Sequence, residues 1–546
     1  MKKFFGYFLI IFAFIVAGIT FLQSNIELPY FGGIYNKVII NRTSNVLEIF
    51  NGHKFYGVSN FDADAFNLLS IIGTNFRGIF TAVMIFILSL FMVPKIYIFS
   101  YLLFFAGLII LNPQKVSPKI TLGIILLLAL LLRLCGLGEY PMWIDEVFTV
   151  LFARSGWRTV LNDYCNPPVF YIVSKLWIMI TPYSETVARL ISVIAGVGGV
   201  WSIYYMLKRK FSEKTALVGA ILMCLSFWGI YYSQELRCYA VIMLLSPLCA
   251  ISMFNMLEQK RNRDFVWFGI LSAIIINTHL YGILFVASNF VYAIFKHLRD
   301  KRFYLLIFLV CLSFLPYLCV TFFKHSIMGN NAIIGNMFFE SIKIILLFVF
   351  LSFGVGIFVL LAKLFKKTTI ATDKEKDFLK YCLYSVLSVF ALSFIISIFR
   401  PIIYYRYYSV IYPFILAIIA IVISQDWKTK YNGVILTALV LVNIFFQFSV
   451  KFPPSLRYGN FYDVIIFEKA NGLTKKNIVV VLDYLTYYSK YYDLKGVTTM
   501  VPQAFDLDKI EKDTTIYLMS FKGSNQDIEG KRIKLPDNTE LIRIDK

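Results

Sequence analysis

"KITLGIILLLALLLRLCGLGEYPMWIDEVF", residues 119–148, runs from an apolar segment straight into two adjacent carboxylates, Asp145 and Glu146. The apolar part, Ile120 to Leu137, is long enough to cross roughly 30 Å of hydrocarbon at about 1.5 Å per residue. Similar runs recur along the chain, which is 59% hydrophobic over 546 residues, with a mean hydropathy of +0.71. A soluble chain of that length would divide into domains of mixed composition. The pattern predicts an all-α polytopic membrane protein of about 11–14 transmembrane helices.

A net charge of +21 would suggest a nucleic-acid partner in a soluble protein. Here the Lys and Arg residues fall in short loops between apolar runs, the bias of cytoplasmic loops, so no nucleic acid is expected. The 35 Tyr and 54 Phe suit lipid-facing helices and interfacial belts. Eight Cys show no metal-type spacing. Cys165 and Cys238 both fall on the expected outer face and could pair; the others fit buried small residues.

The basic loops set the topology. "KRKFSEK" (208–214), "EQKRNRD" (258–264), "KHLRDKR" (296–302), 363–376 and "QDWKTK" (425–430) carry the charge and are expected in the cytoplasm. Loops 233–237, 278–282, 324–341 and 400–406 then lie outside, as does everything after Val450. "NPPVFYIVSKLWIMITP" (166–182) cannot then be a full span. Lys175 and the prolines at its start mark it as an interfacial helix within a long outer loop, 138–186. Residues 265–296 are short for two spans, so the turn at His279 is expected below the membrane surface.

The first 117 residues form an N-terminal membrane extension with an outer loop at 23–75. Its apolar runs 3–22, 78–93 and 96–112 conflict with the later topology. Three crossings from a cytoplasmic Lys2-Lys3 would deliver residue 119 to the wrong side, so either one does not cross or the N-terminus is outside. Residues 118–450 form the main membrane domain. The tail, 451–546, is charged, with β-like runs at 477–482 and 514–521 around a helical segment, and is expected to be a small α/β extracytoplasmic domain.

The ionisable residues outside the basic loops converge on the outer face. They are Asp145 and Glu146, Glu235 and Arg237 in "YYSQELRCYA" (231–240), His279 in "NTHLYG" (277–282), and Arg400 and Arg406 in "FRPIIYYRYYSV" (399–410). One such residue alone fits a snorkelling side chain; the set fits a site. A lipid-bound phosphate leaving group suits the layout. Arg matches phosphate geometry, the leaving group needs only charge stabilisation, and a carboxylate can deprotonate an acceptor hydroxyl as it attacks a sugar C1.

Several stretches resemble the GT-C glycosyltransferases of the protein O-mannosyltransferase and lipid A aminoarabinose transferase type. "RLCGLGEYPMWIDEVFTVLFARSGW" (133–157) resembles their first outer loop, and "NPPVFYIVSKLW" (166–177) their PPL-Y helix. "SETVARLISVIAGVGGVWSIYYMLKRKF" (184–211), "SFWGIYYSQELRCYAVIMLL" (226–245), "NTHLYG" and "YYRYYSVIYPFILAI" (404–418) also fit. The resemblance implies sugar transfer from a polyprenyl-phosphate donor to a glycolipid, polysaccharide or protein acceptor at the outer face. Direct displacement would invert C1, and the short loops with an Ile-, Phe- and Lys-rich composition point to a bacterial inner membrane. The resemblance makes Asp145 the catalytic base and Glu146 its support, through a hydrogen bond or a shared divalent metal ion. Arg406, Arg400 and Arg237 become donor-phosphate contacts. Glu235, Asn166, Tyr171, His279 and Tyr281 become substrate or supporting residues.

Two departures stand out. Asn166 occupies a position where many relatives carry His or Lys, and no Arg follows the acidic pair. Lys175, Arg400 or Lys324 would have to supply the missing cation. Two alternatives remain open at this stage. One is a polysaccharide polymerase or ligase using a diphosphate-linked donor. The other is a transporter of lipid-linked sugars, which would carry midplane charges and repeated halves with broken helices.

Overall fold

The computed structural model describes residues 117–134, 137, 142–161, 166–181, 184–296, 300–325, 372–399 and 402–425, with five short strands between residues 478 and 545. Residues 1–116, Cys165, and the Arg400 and Lys324 side chains lie outside this description, as does the helix expected between the β-like runs of the tail.

Helix α1 (Pro118–Leu134) opens with proline at its first position, where no backbone N–H is needed, and Ser117 Oγ accepts the Ile120 N–H. The carboxylate pair sits in the first turn of α2 (Ile144–Arg154), where negative charge complements the helix dipole. A short α3 (Trp157–Leu161) leads to α4 (Val169–Ile180), which starts directly after Pro167 and Pro168. At 12 residues α4 reaches about 18 Å, too short to cross a bilayer.

The centre of the bundle is α5 (Glu185–Lys210). Ser184 caps its first turn, and Lys208, Arg209 and Lys210 end it at the favourable pole of the dipole. It packs on α6 (Glu213–Leu225), on α8 (Tyr239–Gln259) and on α1. Small residues permit that approach: a Cβ on Gly199 would already meet the Leu244 amide of α8 at 3.8 Å. Between α6 and α8 lies α7 (Phe227–Ser233), bent from α6 by 57° at Ser226, whose hydroxyl accepts the Gly229 N–H and so starts the new helix.

Beyond α8 follow α9 (Asn262–Ile276), α10 (Leu280–Phe295), α11 (Lys301–His325), α12 (Asp373–Phe399), a 3-10 turn (Tyr405–Val410) and α13 (Tyr412–Gln425). Helices α9 and α10 have 15 and 16 residues, and the His279 turn between them is buried within the protein. Among the described residues, Glu185–Lys210, Tyr239–Gln259, Lys301–Phe322 and Glu375–Ile398 are long and apolar enough to span, and α6 with α7 makes a fifth if the bent pair counts as one. The protein is a multi-pass membrane protein. Cys238, expected as a disulfide partner, is a buried free thiol, while Cys311 and Cys319 are exposed on α11 rather than buried.

In the tail the strands are β1 (Ile478–Val480), β2 (Thr498–Met500), β3 (Thr515–Phe521), β4 (Lys531–Lys534) and β5 (Thr539–Asp545). They form one mixed sheet of order β2-β1-β3-β5-β4, parallel across β2-β1-β3 and antiparallel across β3-β5-β4.

Candidate active site

The two adjacent carboxylates point in different directions, as a helix dictates at about 100° per residue. Glu146 turns inward and is fully buried. Arg189 of α5 binds it through both oxygens, Nε to Oε1 at 2.8 Å and Nη2 to Oε2 at 2.7 Å. The Leu236 N–H donates to Oε1 at 2.7 Å and the Trp143 N–H to Oε2 at 3.3 Å. Glu146 thus ties the start of α2 to α5 and to the α7–α8 loop. The resemblance implied a support for Asp145, through a hydrogen bond or a shared metal ion; here Glu146 is engaged with the scaffold instead of with Asp145. Its oxygens are filled by four N–H donors, and Asp145 beside it faces two guanidiniums that would repel a divalent cation. Among the described residues no cluster of three His, Cys, Asp or Glu could hold a metal.

Asp145 turns the other way, and its side chain keeps 23% exposure. Arg406 Nη2 lies 3.0 Å from its Oδ2, and Arg237 Nη2 lies 3.8 Å from the same oxygen. Arg237 is anchored besides by the Asp145 carbonyl at 3.3 Å and Thr149 Oγ1 at 3.2 Å. Arg406 sits in a box of rings, 4.8 Å from Trp143 and 4.6 Å from Tyr404, with Tyr239 and Tyr407 at 5.9 and 5.8 Å. Each arginine keeps a buried Nε–H with no hydrogen-bond partner among the described residues, and so does the Tyr239 hydroxyl.

The "SQELR" loop (233–237) builds much of this. Ser233 accepts a hydrogen bond from Arg133 Nε, Gln234 Nε2 donates to the Arg133 carbonyl at the end of α1, Leu236 holds Glu146, and Arg237 holds the Asp145 backbone. Glu235 is buried among these charges. Burial, then the Glu146 field, pushes its carboxyl well above the usual range. His279 is pushed down to about 3 by burial and by the Arg237 and Arg406 charges. Its Nδ1 accepts the Tyr281 N–H, capping α10, and its ring lies 4.9 Å from Tyr407.

The other expected residues brace the site. Asn166 donates to the Tyr171 hydroxyl at 3.0 Å, and Tyr171 stacks on Phe152 of α2. The Val169 N–H donates to the Asn277 carbonyl, linking α4 to the His279 turn, and the Tyr281 hydroxyl donates to the Ile402 carbonyl. Lys175, a candidate for the missing cation, is otherwise engaged: Nζ donates to the Ala153 and Ser155 carbonyls at the end of α2. Arg189, Trp143, Tyr239 and Tyr404 escaped the sequence reading. Arg189 reaches Glu146 across 43 residues of sequence.

Residues 165–319 match the family described as dolichyl-phosphate-mannose-protein mannosyltransferase. That stretch holds Glu235, Arg237 and His279, with Asp145 and Arg406 on either side of it. The fold is similar to that in the crystal structure of ArnT from Cupriavidus metallidurans in the apo state, with a TM-score of 0.53 at 11% identity, over 78% of this chain and 98% of that one. No curated protein matches the chain in sequence.

Proposed function

We propose that the protein transfers a sugar from a polyprenyl-phosphate donor to an envelope glycolipid, polysaccharide or protein acceptor at the outer face of a bacterial inner membrane. The observation that carries this is the meeting of an accessible carboxylate, Asp145, with two arginines brought from 92 and 261 residues away along the chain. Asp145 takes the proton of the acceptor hydroxyl, and the acceptor oxygen attacks C1 of the sugar. The C1–O bond to phosphate breaks, and its electron pair leaves with the polyprenyl phosphate. Arg406 and Arg237 balance that charge. Displacement from the opposite face inverts C1, and Asp145 later returns its proton to water.

A ligase with a diphosphate-linked donor would use the arginines without needing Asp145. A transporter would need neither a base nor a site fixed at one interface. Supporting the transferase are the family segment, the accessibility of Asp145, and the internal neutralisation of Glu146, which leaves one carboxylate for the chemistry. The test is transfer in nanodiscs from hexosyl and pentosyl polyprenyl phosphates, comparing wild type with Asp145→Asn. A loss of at least roughly a hundredfold with donor binding retained is expected for a missing general base. Equal rates in both proteins would transfer the weight to the ligase.

A further inference from the structure

Asp145 is not free to act as a base where it stands. Its Oδ2 is shared by Arg406 and Arg237, so that oxygen is engaged rather than open to an acceptor hydroxyl. The arginines do not depend on it in return. Arg406 is clamped between the Trp143 and Tyr404 rings, and Arg237 is tied to the Asp145 carbonyl and to Thr149. Each still has a buried Nε–H without a partner among the described residues. With Glu146 matched by Arg189, the two guanidiniums share one exposed carboxylate. Asp145 is also the most exposed of the three side chains, at 23% against 14% for Arg406 and 8% for Arg237. The movable partner is the carboxylate.

We propose that Arg406 latches Asp145 until a polyprenyl phosphate displaces it. The phosphate oxygens take over the guanidinium, and the released carboxylate turns to the acceptor hydroxyl. This rests on the donor assignment above and adds an order to it: the base is freed only when the donor is seated. One anion replaces another on the arginine pair, so the guanidiniums keep a counter-charge throughout.

A double-mutant cycle on binding tests the latch. Full-length protein in phosphatidylcholine nanodiscs is titrated with farnesyl monophosphate, standing in for the leaving group, and with farnesol as the tail-only control. The four proteins are wild type, Asp145→Asn, Arg406→Gln and the double variant. Asp145→Asn is expected to tighten farnesyl phosphate about tenfold, as for a close competing charge pair, and less than about twofold once Arg406 is gone. Equal tightening in both backgrounds would mean simple repulsion by the carboxylate and would overturn the latch, as would no tightening. The same pattern with farnesol would overturn it too. Should Arg406→Gln not fold, Arg406→Lys is the second background, with the gain expected below about threefold. Binding of farnesyl phosphate by none of the proteins would sink the donor assignment itself. A flat cycle beside a transfer defect in Asp145→Asn would sink the latch alone.

Discussion

Arg189 and Glu146, 43 residues apart in sequence, form a two-pronged ion pair at 2.7 and 2.8 Å with 4% and 0% of their side chains exposed. Its function is architectural: it fixes the rotation of α2 about its axis and thereby aims Asp145 outward.

Breaking that pair from one side leaves a buried charge alone. Arg189→Leu should cost roughly 3–5 kcal/mol of stability. The double variant Arg189→Leu, Glu146→Leu should recover part of it, because no buried charge then remains. Thermal unfolding in detergent checks both. A double variant as unstable as the single one would mean that the Glu146 contacts to Leu236 and Trp143 matter more than the ion pair.

Arg406→Lys keeps the charge and loses the flat guanidinium that fits between Trp143 and Tyr404. Transfer kcat/KM should fall roughly tenfold to a hundredfold, as for removal of a positioned donor. Steady-state kinetics against donor concentration would show it; a wild-type value would mean that only the charge is used.

His279 gives the protein an acid sensitivity of defined sign. Its folded-state pKa, about 3, lies below the ordinary 6.5. Between those values the unfolded chain binds a proton that the folded chain refuses, so stability is full above pH 6.5 and declines as pH falls toward 3. From pH 7 to pH 5 this amounts to about 2 kcal/mol. His279→Gln should lose correspondingly less on the same acidification, measured as the difference in Tm at the two pH values.

The same substitution should act with opposite sign at two glycines. A Cβ on Gly196 would collide with Ser233 and with Arg133 Nε, so Gly196→Ala should destabilise by about 1–3 kcal/mol. At Gly123, in α1, nothing lies within 4 Å of the added atom, and Gly123→Ala should be neutral or stabilise by up to about 1 kcal/mol. Paired Tm measurements decide it.

Much of the site was legible because its residues are ones a membrane chain avoids unless they have a use. Asp145, Glu146, Glu235, Arg237, His279 and Arg406 could each be picked out as ionisable groups at one interface, and the structure brings all six together. What could not be read was direction. Nothing in "DE" tells which carboxylate faces the core, because that depends on where α5 presents Arg189. The ring box around Arg406 was equally hidden among so many Tyr and Phe. Lys175 looked like a free cation because its acceptors are backbone carbonyls, which every sequence has.

Arg133 brings a last consequence, about how the chain is made. Its fully buried guanidinium donates to the Met223 and Cys224 carbonyls at the α6–α7 bend, 90 and 91 residues later in the chain, and to Ser233. At about 5–20 residues per second those acceptors emerge from the ribosome roughly 5–20 s after α1 does. During that interval, of the acceptors that hold Arg133 in the finished bundle, only the Ala129 carbonyl of α1 itself is present. Insertion reporters should show the isolated 118–134 segment entering the bilayer more readily as Arg133→Leu, and equal insertion would refute the idea. The arginine that seals the finished bundle is thus expected to burden the newborn helix until those acceptors are made.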